Sequence, residues 1–284
     1  MIDQKKIKEL DKDKIFEMIG SQPDQLRRNY ADTMRQDVIA EDGVGISSIV
    51  LAGMGGSALP GNIIKNWQFD SLVVPFEVVR GYNLPDYTGP DTLVILSSYS
   101  GNTEETLACY EQALRQNARI VVLSAGGELM EFAKQREHIL LELPENFQPR
   151  LAVFASLKAL ACLFEDMRLV STTDLRGQLI NVSDYLNKIK FDMSPDNEEN
   201  NTAMTIAKKI AGKVAVIYAG SMLGSAAYKW KIDINENSKQ MAFYNTFPEL
   251  SHNEFQGWIF PHKKDVVTIQ LESNFENKQM QKRM

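Results

Sequence analysis

Ile46-Ser-Ser-Ile-Val-Leu-Ala-Gly-Met-Gly-Gly-Ser-Ala58 is an apolar run that stops at glycines and passes into a serine. A short, unbroken apolar run bounded by glycine reads as a strand buried on both faces. From Ser57 onward the sequence reads as a helix. The unit then repeats. Pro75-Phe-Glu-Val-Val-Arg80, Thr92-Leu-Val-Ile-Leu-Ser97, Arg119-Ile-Val-Val-Leu123 and His138-Ile-Leu-Leu-Glu142 read as further strands. Helices are expected over 103–115, from Gly126-Gly127 to 136, and over Leu151–Met167. Strands alternating with helices predict an α/β fold with a mostly parallel sheet flanked by helices. In such sheets ligands sit beyond the carboxyl ends of the strands. The loops at Gly53–Ser57 and Ser98–Thr106 both follow strands, so they are expected to converge on one crevice.

Upstream, residues 12–40 are spaced for an apolar helix face at Ile15, Met18, Ile19, Leu26 and Tyr30, with Pro23 expected to break it into two pieces. Downstream, the polar stretch Lys188–Asn201 reads as a linker, after which the pattern restarts. Thr202–Ala211 reads as a helix, Val214–Tyr218 as a strand, Leu223–Lys239 as a helix, and Met241–Tyr244 and Asp265–Gln270 as strands. Ala219-Gly220-Ser221-Met222-Leu-Gly-Ser225 echoes Ala52-Gly-Met-Gly-Gly-Ser57. The expected organisation is 1–170 for N-terminal helices and a first α/β half, 171–199 for a helix and linker, and 200–284 for a second half.

The composition excludes several function classes. Among 284 residues, 44% are hydrophobic and 24% charged, and the formal net charge is −6. That balance suits a globular protein and argues against a broad nucleic-acid surface. No apolar run approaches the length of a membrane span, and Met1–Leu10 is lysine-rich without the apolar core of a signal peptide. The cytoplasm is expected by elimination. Cys109 and Cys162 lie in helix-like patterns and read as buried thiols, with no metal-ligand spacing.

Two loops carry chemistry. In Gly53-Met-Gly-Gly-Ser-Ala58, glycines allow close backbone approach, and a helix N-terminus presents N–H groups with partial positive charge. The loop fits neither a dinucleotide fingerprint nor a Walker loop, and a plain strand–helix turn explains it equally well. Ser97-Ser-Tyr-Ser-Gly-Asn-Thr-Glu-Glu-Thr106 clusters hydroxyls where a phosphate oxygen shell could form without lysine or arginine. A capping box from Asn102 to Glu105 accounts for those two residues but not for Ser98 and Ser100.

The Ser-x-Ser-Gly-Asn-Thr loop resembles that of the sugar isomerase (SIS) domain. The whole chain resembles the bifunctional phosphoglucose/phosphomannose isomerase family, through Gly53–Ala58, Ser98–Thr103, Pro149-Arg150, Asn235-Glu-Asn237 and Asn245-Thr-Phe-Pro-Glu-Leu-Ser-His-Asn-Glu-Phe-Gln-Gly-Trp258. These stand in family order. The resemblance implies two SIS-type subdomains, a homodimer, a hexose 6-phosphate substrate, no cofactor and no metal. It implies a phosphate shell of Gly55, Gly56, Ser57, Ser98, Ser100 and Thr103. It implies three catalytic residues: Glu236 as the base that carries a proton between C1 and C2, His252 as the ring-opening group, and Arg150 near the reacting oxygens. In the family the histidine can come from the partner subunit. On the residues alone, Arg150 reads as a helix-start residue in a surface ion pair. Glu236 reads as a helix-end carboxylate that the dipole disfavours, and a lone histidine such as His252 as structural.

The family's chains continue past the region matching Gln279–Met284 and carry an active-site lysine there, a place that Lys278, Lys282 and Arg283 precede. The second subdomain is therefore expected to be incomplete. The leading expectation is a metal-independent aldose–ketose isomerase that interconverts glucose 6-phosphate and mannose 6-phosphate with fructose 6-phosphate through a cis-enediol. The alternatives are a non-catalytic SIS module that binds sugar phosphate, and a nucleotide-dependent oxidoreductase, which would need a cleaner glycine fingerprint. Glu254 and Thr246 carry no assigned role at this stage, and His138 and His262 read as ordinary.

Overall fold

The computed structural model describes residues 7, 9–28, 43–197, 199–259 and 265–284. The chain divides into two compact units, Met1–Lys190 and Phe191–Met284.

In the first unit, helix α1 (Ile15–Gln25) runs through Pro23 and ends two residues later. A proline removes one backbone donor, and so close to the helix end it costs little more than the final turn. Pro23 therefore stands within the final turn of α1. The second predicted piece, with Tyr30, lies outside the described residues.

Strands β1 (Ser48–Gly53), β2 (Phe76–Val79), β3 (Thr92–Ser97), β4 (Arg119–Ser124) and β5 (Ile139–Glu142) form one sheet in the order β2-β1-β3-β4-β5. Every pairing is parallel, with Val50 opposite Val94 and Val94 opposite Ile120. Helices α2 (Gly55–Trp67), α3 (Glu104–Arg115), α4 (Gly127–Gln135), α5 (Val153–Asp166) and α6 (Leu175–Ile189) complete the unit. The strand alternation sends Ile49, Leu51, Leu93, Ile95, Val121 and Leu123 to one apolar cluster with Leu160 and Phe164 of α5. Val50, Val94, Leu96 and Val122 join a second with Cys109, Tyr110 and Ala113 of α3 and Leu129 of α4. A sheet covered on both faces needs apolar side chains on both, which is why these strands read as unbroken apolar runs. Cys109 and Cys162 are both buried and unpaired.

The second unit has helix α7 (Thr202–Ile210), strand β6 (Val214–Ala219), helix α8 (Gly224–Asn237), strand β7 (Ala242–Thr246), a short helix α9 (Glu254–Gly257), strand β8 (Val266–Leu271) and helix α10 (Lys278–Arg283). Its three strands are parallel in the order β7-β6-β8, with Ile217 opposite Tyr244 on one side and Ile269 on the other. The α/β reading with two mostly parallel, helix-flanked sheets holds. Among the described residues no helix is long and apolar enough to cross a membrane.

Candidate active site

The order β2-β1-β3-β4-β5 places consecutive strands on opposite sides of β1. This creates a topological switch point at the carboxyl ends of β1 and β3, where α/β sheets open a ligand crevice. The two predicted loops meet there. Ser97 Oγ donates to the Ser57 carbonyl at 2.8 Å, and the Tyr99 amide donates to Ser57 Oγ at 3.1 Å. Gly55, Gly56 and Ser57 form the first turn of α2, where the Ser57 amide donates to the Met54 carbonyl at 2.9 Å and the Gly55 and Gly56 amides stand ahead of the helix's hydrogen-bond ladder.

In the second loop Ser98 is buried and its Oγ lies 2.8 Å from Thr103 Oγ1, with the Gly101 amide donating to Ser98 Oγ at 3.1 Å. Exposed Ser100 accepts from the Asn102 amide at 3.3 Å. No capping box forms. Thr103 is the first residue before α3 and makes no side-chain cap, while Asn102 Oδ1 accepts the Glu128 amide of α4 at 2.9 Å. Asn102 thus ties the hydroxyl loop to the next strand–helix loop. Gly101 makes this contact possible. Its φ is +71°, and a Cβ there would overlap the Gly126 carbonyl.

Arg150 joins this loop pair through its backbone. Pro149–Leu151 form a 3₁₀ turn before α5, and a Cβ on Gly56 would stand 3.0 Å from the Pro149 carbonyl oxygen and 3.1 Å from the Arg150 nitrogen. Only a glycine admits that approach without displacing the turn. Two residues that the sequence reading missed hold it. Tyr99 donates to the Pro144 carbonyl at 2.6 Å and accepts the Phe147 amide at 2.9 Å. Buried Gln25 of α1 donates to the Leu151 carbonyl at 2.9 Å and accepts the Ala155 amide at 2.9 Å.

The remaining candidates lie in the second unit. Glu236 is the penultimate residue of α8. His252 is exposed and ends the 3₁₀ turn Glu249–His252 that follows β7. Because α8 runs back between two parallel strands, its end lies at the amino edge of the sheet, whereas the turn after β7 lies at the carboxyl edge. The 14-residue helix spans about 21 Å at the usual rise per residue. Glu236 and His252 therefore stand at opposite ends of this unit. Thr246 sits at the end of β7 with its methyl against Gly224, so it packs the start of α8.

The glycine echo in this unit has a different fate from its counterpart. Beyond β6, Glu276 is buried and accepts the Met222 amide at 2.8 Å and Ser221 Oγ at 3.3 Å. A carboxylate of the chain itself occupies the position that faces the helix start.

Three of the five buried side-chain oxygens that lack a hydrogen-bond partner among the described residues belong to Thr106, Gln148 and Ser251. They lie three, two and one residues from Thr103, Arg150 and His252. Unsatisfied polar atoms are rare in native proteins and mark places where another group completes the bonding. Among the described residues no group of three or more His, Cys, Asp or Glu is placed to hold a metal ion.

Comparison with known proteins follows the same division. The family model described as "SIS domain" matches residues 45–162, and that described as "Bacterial phospho-glucose isomerase C-terminal SIS domain" matches residues 199–284. The chain is 37% identical over 251 residues to the bifunctional phosphoglucose/phosphomannose isomerase of Caldicellulosiruptor bescii, covering 87% of this chain and 73% of that protein. It is 32% identical over 246 residues to the D-glucosamine-6-phosphate 4-epimerase of Sulfolobus acidocaldarius, covering 84% and 74%. Among solved structures, the tagatose-6-phosphate ketose/aldose isomerase of Escherichia coli superposes with a TM-score of 0.71 over 94% of this chain and 74% of its own. At 18% identity that likeness speaks for the fold alone.

Proposed function

The chain belongs to the bifunctional phosphoglucose/phosphomannose isomerase family of isomerase enzymes, and from that premise we propose that it interconverts glucose 6-phosphate and mannose 6-phosphate with fructose 6-phosphate. The observation that carries this reading is the pair of loops at the switch point of β1 and β3. Its hydroxyls and helix N–H groups suit a phosphate dianion.

In this reading the phosphate rests on Gly55, Gly56 and Ser57 with Ser98, Ser100 and Thr103. His252 moves a proton between the ring oxygen and the C1 hydroxyl to open the sugar. Glu236 takes the proton from C2 of the aldose and returns it to C1, so the intermediate is a cis-enediol and nothing is lost or gained overall. Arg150 lies near the developing enediolate charge. No metal or cofactor takes part, and the protein works in the cytoplasm. The opposite-end placement of Glu236 and His252 supports a homodimer in which the partner subunit completes the histidine side of the site.

Both aldose phosphates should turn over with EDTA present, and the Glu236→Gln variant should not turn them over. Undiminished turnover in that variant removes the assigned base, and full loss with EDTA removes the metal-free mechanism. Mixing inactive Glu236→Gln with inactive His252→Ala chains should restore part of the activity, because one mixed site regains both groups. No recovery speaks against a shared site.

The similarity to a 4-epimerase favours one second reading, inversion at C4 of an amino-sugar phosphate. Product analysis separates the two: a ketose from the first, a C4 epimer from the second.

A further inference from the structure

His252 sits on an exposed turn, yet a proton carrier needs a fixed position. The segment that bears it is anchored on two sides. Beneath it Leu250 and Phe247 are buried, and Phe247 packs edge-on against Phe255 at 5.8 Å and Tyr218 at 6.3 Å. On the far side of the histidine stands Glu254. Its carboxylate accepts the Tyr218 hydroxyl from the end of β6 and Asn245 Nδ2 at 2.6 Å from the end of β7. Trp258 Nε1 donates to the same Tyr218 hydroxyl at 2.8 Å. Asn245 is itself fixed, since its Oδ1 accepts the Thr246 amide at 2.8 Å. One carboxylate thus clamps the turn to the carboxyl ends of two neighbouring parallel strands.

We propose that Glu254 is a positioning residue for His252: with Tyr218 and Asn245 it holds the 249–258 segment at the strand ends so that the imidazole meets the sugar ring oxygen. The inference rests on the reading of His252 as the ring-opening group. Glu254 is distinct from the base, since its two carboxylate oxygens are engaged by Tyr218 and Asn245. Burial, and then the Glu254 carboxylate, push the Tyr218 hydroxyl well above its ordinary range, so Tyr218 stays a donor throughout neutral pH. Glu249 does not share the clamp; it accepts from Asn253 Nδ2 at 2.7 Å on the exposed side.

The test compares Glu254→Gln, His252→Ala and the double variant of the full chain, with glucose 6-phosphate as substrate. Glu254→Gln should lower kcat by roughly tenfold to a hundredfold, the scale of a misplaced catalytic group, with KM little changed. The double variant should be no slower than His252→Ala, because residues acting as one unit do not lose activity additively. Tyr218→Phe keeps the ring packing and removes the donor, and it should show the same kcat loss if Glu254→Gln does not fold. A fully active His252→Ala removes the histidine reading and this inference with it. An inactive His252→Ala beside a fully active Glu254→Gln and Tyr218→Phe, or losses that multiply in the double variant, overturns this inference alone.

Discussion

The hydroxyls of Ser98 and Thr103 lie 2.8 Å apart across the loop between β3 and α3. Each can give the other its proton, so the pair is held ready with one hydroxyl hydrogen shared and lone pairs and a second hydrogen left over. A phosphate oxygen arriving at the start of α3 needs donors, and rotation of these hydroxyls supplies them without moving the backbone.

Removing one such donor should weaken phosphate binding. A hydrogen bond to a charged group contributes about 1.5–3 kcal/mol, which corresponds to a roughly tenfold to hundredfold rise in KM. Thr103→Val should show that rise with a smaller change in kcat, since the phosphate is remote from the reacting carbons. Ser98→Ala should also lower stability slightly, by about 0.5–1.5 kcal/mol, because the Gly101 amide gives up one of its two acceptors and keeps the Ser98 carbonyl at 3.1 Å. Steady-state kinetics and urea unfolding of both variants check the two effects separately.

The five-stranded sheet was legible because β1, β3 and β4 are buried on both faces and so cannot alternate polar with apolar. Their shared crevice followed from the rule for parallel sheets. What holds the crevice together was not legible. Asn102 carries every local mark of a cap for α3, but its partner is the Glu128 amide, brought alongside only by the pairing of β3 with β4. Gln25 and Tyr99 support the Arg150 turn across 126 and 45 residues of sequence, and no spacing pattern encodes such contacts. Glu276 is similar: the glycine echo is visible in the sequence, but the carboxylate that fills it comes from 54 residues away. Glu254 sat inside a recognisable motif, yet only the meeting of β6 and β7 gives it Tyr218 and Asn245 as partners.

His138 should make stability depend on pH. Burial, and then the nearby Arg136 charge, hold its pKa below the ordinary value of 6.5. Its ring lies against Tyr110, with Nε2 3.4 Å from the tyrosine hydroxyl. The unfolded chain therefore binds a proton at a higher pH than the folded chain does. The stability linked to this group is fully present above about pH 6.5 and is lost as the pH falls below it through the folded value. His138→Gln should flatten that part of the profile. Urea midpoints between pH 7.5 and pH 5 should fall less in the variant than in the parent, and an identical slope would remove the assignment.

Glu276 should matter for stability in a way that depends on its oxygen rather than its size. Its buried carboxylate takes the Met222 amide and the Ser221 hydroxyl ahead of α8. Glu276→Ala leaves that amide without an acceptor and should cost about 1–3 kcal/mol. Glu276→Gln keeps a carbonyl oxygen in place and should cost less, although it gives up the favourable pairing of negative charge with a helix start. The same vacancy should make the alanine variant responsive to small anions. Inorganic phosphate should raise its urea midpoint more than it raises the parent's, since in the parent the carboxylate already stands there. If both variants unfold with the parent, the carboxylate is a surface group and the glycine echo of the second unit is open to solvent.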